Sequence, residues 1–158
     1  MKQRTRARGI ALQALYEIDL TGHPMGTVIE ERILETPLDE GLKHFVREIV
    51  KGVTPVAELL DRVIAEHAPE WPMDQVAYID RNILRMALWE ITIFKNTPMK
   101  VAINEAVELA KEYGSDSTPR FVNGVLGSLT DHLNEVQQTI QRYTHSNLIT
   151  PLDMDTPK

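Results

Sequence analysis

The sequence predicts an all-α protein of about seven helices in two packed lobes around one buried central helix. Three observations carry this. The stretch VAYIDRNILRMALWEITIF (Val76–Phe94) is apolar nearly all the way round at 3.6 residues per turn, the pattern of a helix surrounded by others. Proline and glycine recur at helix-length intervals, with Gly22, Pro37, Gly52, Pro55, Pro72, Pro98, Gly114 and Pro119 between apolar periodic runs, so they read as helix stops and starts. No segment alternates apolar and polar residues over strand length, and no internal repeat is present.

In the central stretch, Ile79, Ile83, Ala87, Ile91 and Phe94 form one stripe. Leu84 and Leu88 lie beside it, and Met86, Trp89 and Ile93 lie on the far side. Met, Leu and Ala favour helix over strand, and the run is too short and too charged to span a bilayer. The first helix is expected over Thr5–Leu20, burying Ala11, Ala14, Leu15 and Ile18, widened by Leu12 and Tyr16, and stopped by Gly22. A short second helix falls near Thr27–Glu35. The third follows Pro37, with Leu42, Phe45, Val46, Ile49 and Val50 inward, and ends at Gly52. Thr54-Pro55 opens a fourth carrying Leu59, Leu60, Val63 and Ile64. The segment Ala68–Asp74, with Pro69 and Pro72 around Trp71, is a loop before the central helix. Thr97-Pro98 starts the sixth helix, through Val101, Ala106, Val107 and Ala110 to Tyr113. Thr118-Pro119 starts the seventh, through Val122, Val125 and Leu129 to Ile140. Gly124 and Gly127 inside it cost about 1 kcal/mol each against alanine, which predicts a neighbouring helix at close approach. The main domain is read as 1–142, with a flexible tail over 143–158, where Pro151, Asp153, Asp155 and Pro157 cluster.

The chain has 158 residues, 42% apolar and 25% charged, the composition of a water-soluble globular domain. It has no cysteine, which excludes disulfides and thiolate metal sites and fits a reducing cytoplasm. Gln13, Glu17 and Asp19 interrupt Ile10–Leu20, so this stretch does not read as a secretory core. The five histidines have no metal-binding spacing, and neither a phosphate-binding glycine loop nor a GxSxG turn is present. No metal or cofactor is therefore expected. Asp80, Glu90 and Glu105 are carboxylates in apolar helices, read as partners of Arg81, Arg85 or backbone groups, because buried charges must be paired. Asn104 and Asn123 read as buried amides that fix helix packing.

The net charge is −6, yet Lys2, Arg4, Arg6 and Arg8 stand at the start without an acid. Positive charge at a helix N-terminus opposes the macrodipole, so either these residues form a solvated, frayed end or they meet phosphates outside the fold. Tyr113, Ser117, Arg120 and Phe121 flank the turn between the sixth and seventh helices. The two rings either cap the core or stack on bases while Arg120 holds a phosphate.

The run KVAINEAVELAKEYGSDSTPRFVNGVLGSL (Lys100–Leu129) closely resembles the signature of the NusB family of transcription antitermination factors. RTRARGIALQALYEIDL (Arg4–Leu20), FVREIVKGV (Phe45–Val53) and IDRNILRMALWEI (Ile79–Ile91) agree in the family's order. The resemblance implies two lobes (helices one to three and four to seven) and no catalytic activity. It also implies binding of boxA RNA together with NusE, a small-subunit ribosomal protein, and entry into the RNA polymerase antitermination complex, notably on ribosomal RNA operons. Some relatives self-associate, so a homodimer is among the expected states.

By position, the family's arginine-rich start falls on Arg4, Arg6 and Arg8, with Lys2 upstream. Thr5 stands where some relatives have another arginine, and Gly9 where an acid is common. The second RNA-contacting region falls on Tyr113, Ser117, Arg120 and Phe121, with Ser117 at a position often acidic in relatives. His67 takes the place of an aromatic RNA contact. The NusE-facing surface maps to the start of the central helix, at Asp80 and Arg81, with Asp80 as ion-pair acceptor. Rival readings are a protein-interaction scaffold whose arm meets acidic partners, a small enzyme using Asp80 and Glu105, and, weaker still, a DNA-binding helix-turn-helix.

Overall fold

The computed structural model describes residues 2–155, with side chains through Thr144. The helices are α1 (Gln3–Thr21), α2 (Met25–Leu34), α3 (Glu40–Val53), α4 (Ala57–His67), α5 (Tyr78–Trp89), α6 (Met99–Tyr113), α7 (Thr118–Asp131) and α8 (Leu133–Asp155). No strand occurs among the described residues. The helix expected to run through Ile140 divides at His132, so its last part is α8. Tyr143, at the start of the expected tail, packs against the core with the Arg62 guanidinium 5.2 Å from its ring centroid. The tail's side chains from 145 onward lie outside the described residues.

Helices α1, α2 and α3 pack on one another as one lobe, while α4 to α8 form the second. The central helix joins them, because α5 packs against α1 and α3 of the first lobe and against α4, α6 and α7 of the second. Every residue from Asn82 to Thr92 is buried, as its all-round apolar pattern requires. Its last turn opens into a π-helical turn, Glu90–Phe94. There the Thr92 hydroxyl donates to the Leu88 carbonyl at 2.6 Å and the Lys95 N–H donates to the Glu90 carbonyl at 2.9 Å. The wider turn keeps Glu90 and Thr92 inside and turns Ile93 out, so Ile93 leaves the core in which the sequence places it. π turns of this kind are common at functional sites.

Gly22 ends α1 in the left-handed conformation, φ 74°, with its N–H on the Ile18 carbonyl. Gly52, by contrast, does not stop α3. It lies inside the helix because a β-carbon there would run into the Trp89 indole, which stacks at 4.8 Å on Phe94. Gly124 meets the Trp71 indole of the α4–α5 loop rather than a helix, and a β-carbon at Gly127 would meet nothing within 4 Å.

Candidate nucleic-acid interface

The basic arm is the first two turns of α1. No acid and no side-chain cap offsets its positive N-terminal charges. A helix turns 100° per residue, so four cations spaced two apart cannot share one environment. Lys2 and Arg4 are exposed, Arg6 is half-buried, and Arg8 is buried at 4% exposure. The Arg4 guanidinium lies 3.8 Å above the Phe45 ring, a cation–π contact that holds it at the surface. Among the described residues, Lys2, Arg4 and Arg6 make no ion pair.

Arg8 is the correction to the sequence reading. Its Nε donates to Glu90 Oε1 at 2.8 Å and its Nη2 to Glu90 Oε2 at 2.9 Å, a two-pronged pair. Its Nη1 donates to Glu105 Oε1 at 3.2 Å, and the Thr5 hydroxyl donates to the same oxygen at 2.7 Å. Burial opposes the charge on Arg8, but the Glu90 and Glu105 carboxylates outweigh it and hold its pKa above the ordinary arginine value. This side chain is committed to the protein and fixes the base of the arm to the π turn and α6. The same contacts tie up Glu105, so it does not converge with Asp80 as the enzyme reading needs.

The turn between α6 and α7 meets the arm directly. The Tyr113 ring lies against Gly9, so close that a β-carbon at residue 9 would come within 2.6 Å of its hydroxyl. Gln13 Nε2 donates to that hydroxyl at 3.2 Å. Arg6, Gly9 and Gln13 are neighbours on one α-helical face, so the arm's half-buried arginine and Tyr113 lie along the same strip. Beyond Gly114, the Ser115 N–H donates to the Thr118 hydroxyl at 2.9 Å, and that hydroxyl donates to Asp80 Oδ1 at 3.0 Å. Thr118 is thus a link between α7 and α5 rather than a helix cap.

A groove of about 640 Å³ follows, lined in part by Trp71, Val76, Asp80, Ser117, Arg120 and Phe121. Ser117 and Arg120 are exposed and Phe121 is half-buried. The structure therefore gathers Asp80 with Ser117, Arg120 and Phe121, three residues expected as RNA contacts, and adds Trp71 of the α4–α5 loop. Its only sequence signal is an aromatic bracketed by Pro69 and Pro72. Asp80 has no cation partner among the described residues. Burial raises its pKa, with the Thr118 hydrogen bond pulling the other way.

Arg81 turns away from Asp80. It pairs with Asp19 at 2.7 and 2.8 Å and lies 4.4 Å over the Tyr78 ring. Asp19 also accepts from Asn82 and Arg85, and Arg85 reaches on to Asp61. Burial works against Asp19's charge, yet the Arg81 and Asn82 hydrogen bonds and the two arginine charges hold its pKa below the usual value. This network closes the seam between α1, α4 and α5.

His67 lies apart from the groove. Its Nε2 is 3.1 Å from the Thr139 hydroxyl of α8, so the residue expected to replace an aromatic RNA contact packs between α4 and α8. Asn104 and Asn123 are both exposed rather than buried, and line a shallow groove beside Lys2 and Thr5. No cluster of metal-binding side chains and no helix long and apolar enough to cross a membrane occurs among the described residues.

The NusB family model matches residues 5–131. The chain belongs to the NusB family. Among curated NusB proteins, each named transcription antitermination protein, that of Roseiflexus castenholzii is 49% identical over 134 residues, 84% of this chain and 94% of the relative. That of Dehalococcoides mccartyi is 47% identical over 130 residues, covering 82% of this chain and 91% of its own. The fold is similar to T. maritima NusB, with a TM-score of 0.72 at 28% identity over 87% of this chain and 92% of that one. It is also similar, with a TM-score of 0.76 at 27% identity, to a chain from the crystal structure of antitermination factors NusB and NusE in complex with dsRNA, covering 84% of this chain and 98% of that one. The matched segment includes Arg6, Arg8, the α6–α7 corner and the residues that line the groove.

Proposed function

We propose that this NusB-family chain is a non-enzymatic, cytoplasmic adaptor that binds boxA RNA together with NusE. In this reading it joins the RNA polymerase antitermination complex, notably on ribosomal RNA operons. The observation that supports the reading is the seat of Tyr113 on Gly9, which packs the α6–α7 corner against α1 just past the arm; in this reading a single RNA strand follows both. Lys2, Arg4, Arg6 and Arg120 supply phosphate contacts, whose affinity comes largely from released counterions. Tyr113 and Phe121 offer ring faces for bases, and the Ser117 hydroxyl sits between them without the repulsion an acid would bring. Arg8 acts from behind, holding the arm in place through Glu90 and Glu105.

NusE in this reading meets the start of α5. Asp80 is a half-buried carboxylate without a cation partner among the described residues, suited to accept a lysine or arginine from a basic partner. Arg81 shapes that surface from its place on Asp19. Two proteins side by side lengthen the surface offered to RNA, so NusE raises RNA affinity. Titration of labelled boxA RNA, with and without NusE, tests this. Binding that tightens with NusE and prefers boxA over scrambled RNA is expected. No preference in either condition would favour the protein-scaffold reading.

A further inference from the structure

The groove between the α4–α5 loop and α7 has two chemically different ends. At the Thr118 end lies Asp80, held by the Thr118 hydroxyl. At the Gly124 end lies the Trp71 indole, whose Cζ2 would be 3.2 Å from a β-carbon on Gly124. Six residues of α-helix, about 9 Å, separate these ends. Arg120 and Phe121 line the groove between them.

The loop is fastened to α7 on the far side of the indole. The Ser128 hydroxyl, one turn beyond Gly124, donates to Glu70 Oε1 at 3.1 Å. The absence of a side chain at Gly124 lets the indole settle against the helix while one part of it still lines the groove. His67 does not line this groove; its Nε2 lies 3.1 Å from the Thr139 hydroxyl.

We infer that Trp71 is an RNA-contacting residue, forming with Phe121 an aromatic slot that takes one unstacked nucleobase, while Arg120 holds that nucleotide's phosphate. This rests on the RNA-binding function proposed above. Nucleobases stack on aromatic faces whatever their sequence, and an arginine beside the ring adds the charge the strand requires. An RNA strand fits better than a peptide at this end for two reasons. Arg120 is exposed and has no carboxylate partner among the described residues. The groove also includes Ser117, which lies in the α6–α7 turn that follows Tyr113.

The chain has two tryptophans, which makes the test direct. Trp89 is buried on Phe94, so Trp89→Phe leaves Trp71 as the only indole. Titrating this variant with single-stranded boxA RNA in the presence of NusE should quench Trp71 fluorescence, in step with binding followed by anisotropy of labelled RNA. Trp71→Ala in the otherwise intact chain should weaken RNA binding by about 5- to 150-fold, and Trp71→Phe should recover most of it. RNA binding with no quench, and with Trp71→Ala at wild-type affinity, would overturn the slot and leave the RNA-binding function standing. Quenching by NusE alone, with no further change on adding RNA, would assign the groove to protein and overturn the slot. No binding of RNA by the wild-type chain in the anisotropy assay would overturn both.

Discussion

Replacing Arg8 with alanine separates the structural cation of the arm from those exposed at its surface. Glu90 is 3% exposed, and both of its carboxylate oxygens accept from Arg8. The substitution leaves that carboxylate buried without a counter-charge and opens a gap between α1 and the π turn. Breaking a buried pair from one side costs about 3–5 kcal/mol. For a chain of this size each kcal/mol lowers the melting temperature by about 2–4 °C, so thermal unfolding followed by circular dichroism should show a drop of about 6–20 °C. Arg6→Ala removes an unpaired, half-exposed cation and should stay within about 0.5 kcal/mol of wild type. Removing Arg8 and Glu90 together, as Arg8→Met with Glu90→Leu, should regain part of the loss, because Glu90 is then not buried alone, while Glu105 keeps only the Thr5 hydrogen bond. If Arg8→Ala melted as close to wild type as Arg6→Ala, the assignment of Arg8 to the interior would be refuted.

Gly9→Val should both lower stability by about 1–3 kcal/mol, as overpacking does, and weaken RNA binding, since it lifts Tyr113 from the arm; thermal melting and RNA titration on the same sample check both effects. Asp80→Asn preserves an acceptor for Thr118 and removes a charge that burial disfavours, so melting at neutral pH should be unchanged or slightly higher while NusE binding, measured by calorimetry, weakens. Asp19 gives the opposite sign. Its pKa is lowered on folding, so its contribution is complete above about pH 4 and is lost as pH falls below that through its folded pKa. Asp19→Asn should therefore destabilise the protein at neutral pH and flatten this part of the acid-unfolding curve.

Apolar periodicity and its punctuation made most of the architecture readable. Val76–Phe94 is central because burying nearly every face demands neighbours on all sides, and Gly22 ends α1 because only a residue free to take positive φ fits there. What escaped reading depended on contacts between segments far apart in the chain. Arginine is ordinarily a surface residue, and nothing near Arg8 announces Glu90 and Glu105. Gly52 looks like a stop until the Trp89 indole is seen to occupy its space. Asn104 and Asn123 interrupt apolar runs but lie on the outward faces of helices that are only half covered. In the candidate interface, the α6–α7 corner was visible from its cluster of tyrosine, serine, arginine and phenylalanine. Trp71 was not, since a loop aromatic gains meaning only when α7 is laid beside it.

The central claim is that the arm and the corner act as one RNA surface, and salt dependence tests it most directly. With Lys2, Arg4, Arg6 and Arg120 on phosphates, the logarithm of RNA affinity should fall with the logarithm of salt at a slope of about −3, near −0.7 per contact for single strands. Arg4→Ala, Arg6→Ala and Arg120→Ala should each reduce the steepness by about 0.7. A slope that stays at the wild-type value when Arg120 is removed, while the arm variants lower it, would mean that RNA follows the arm alone and never reaches the corner.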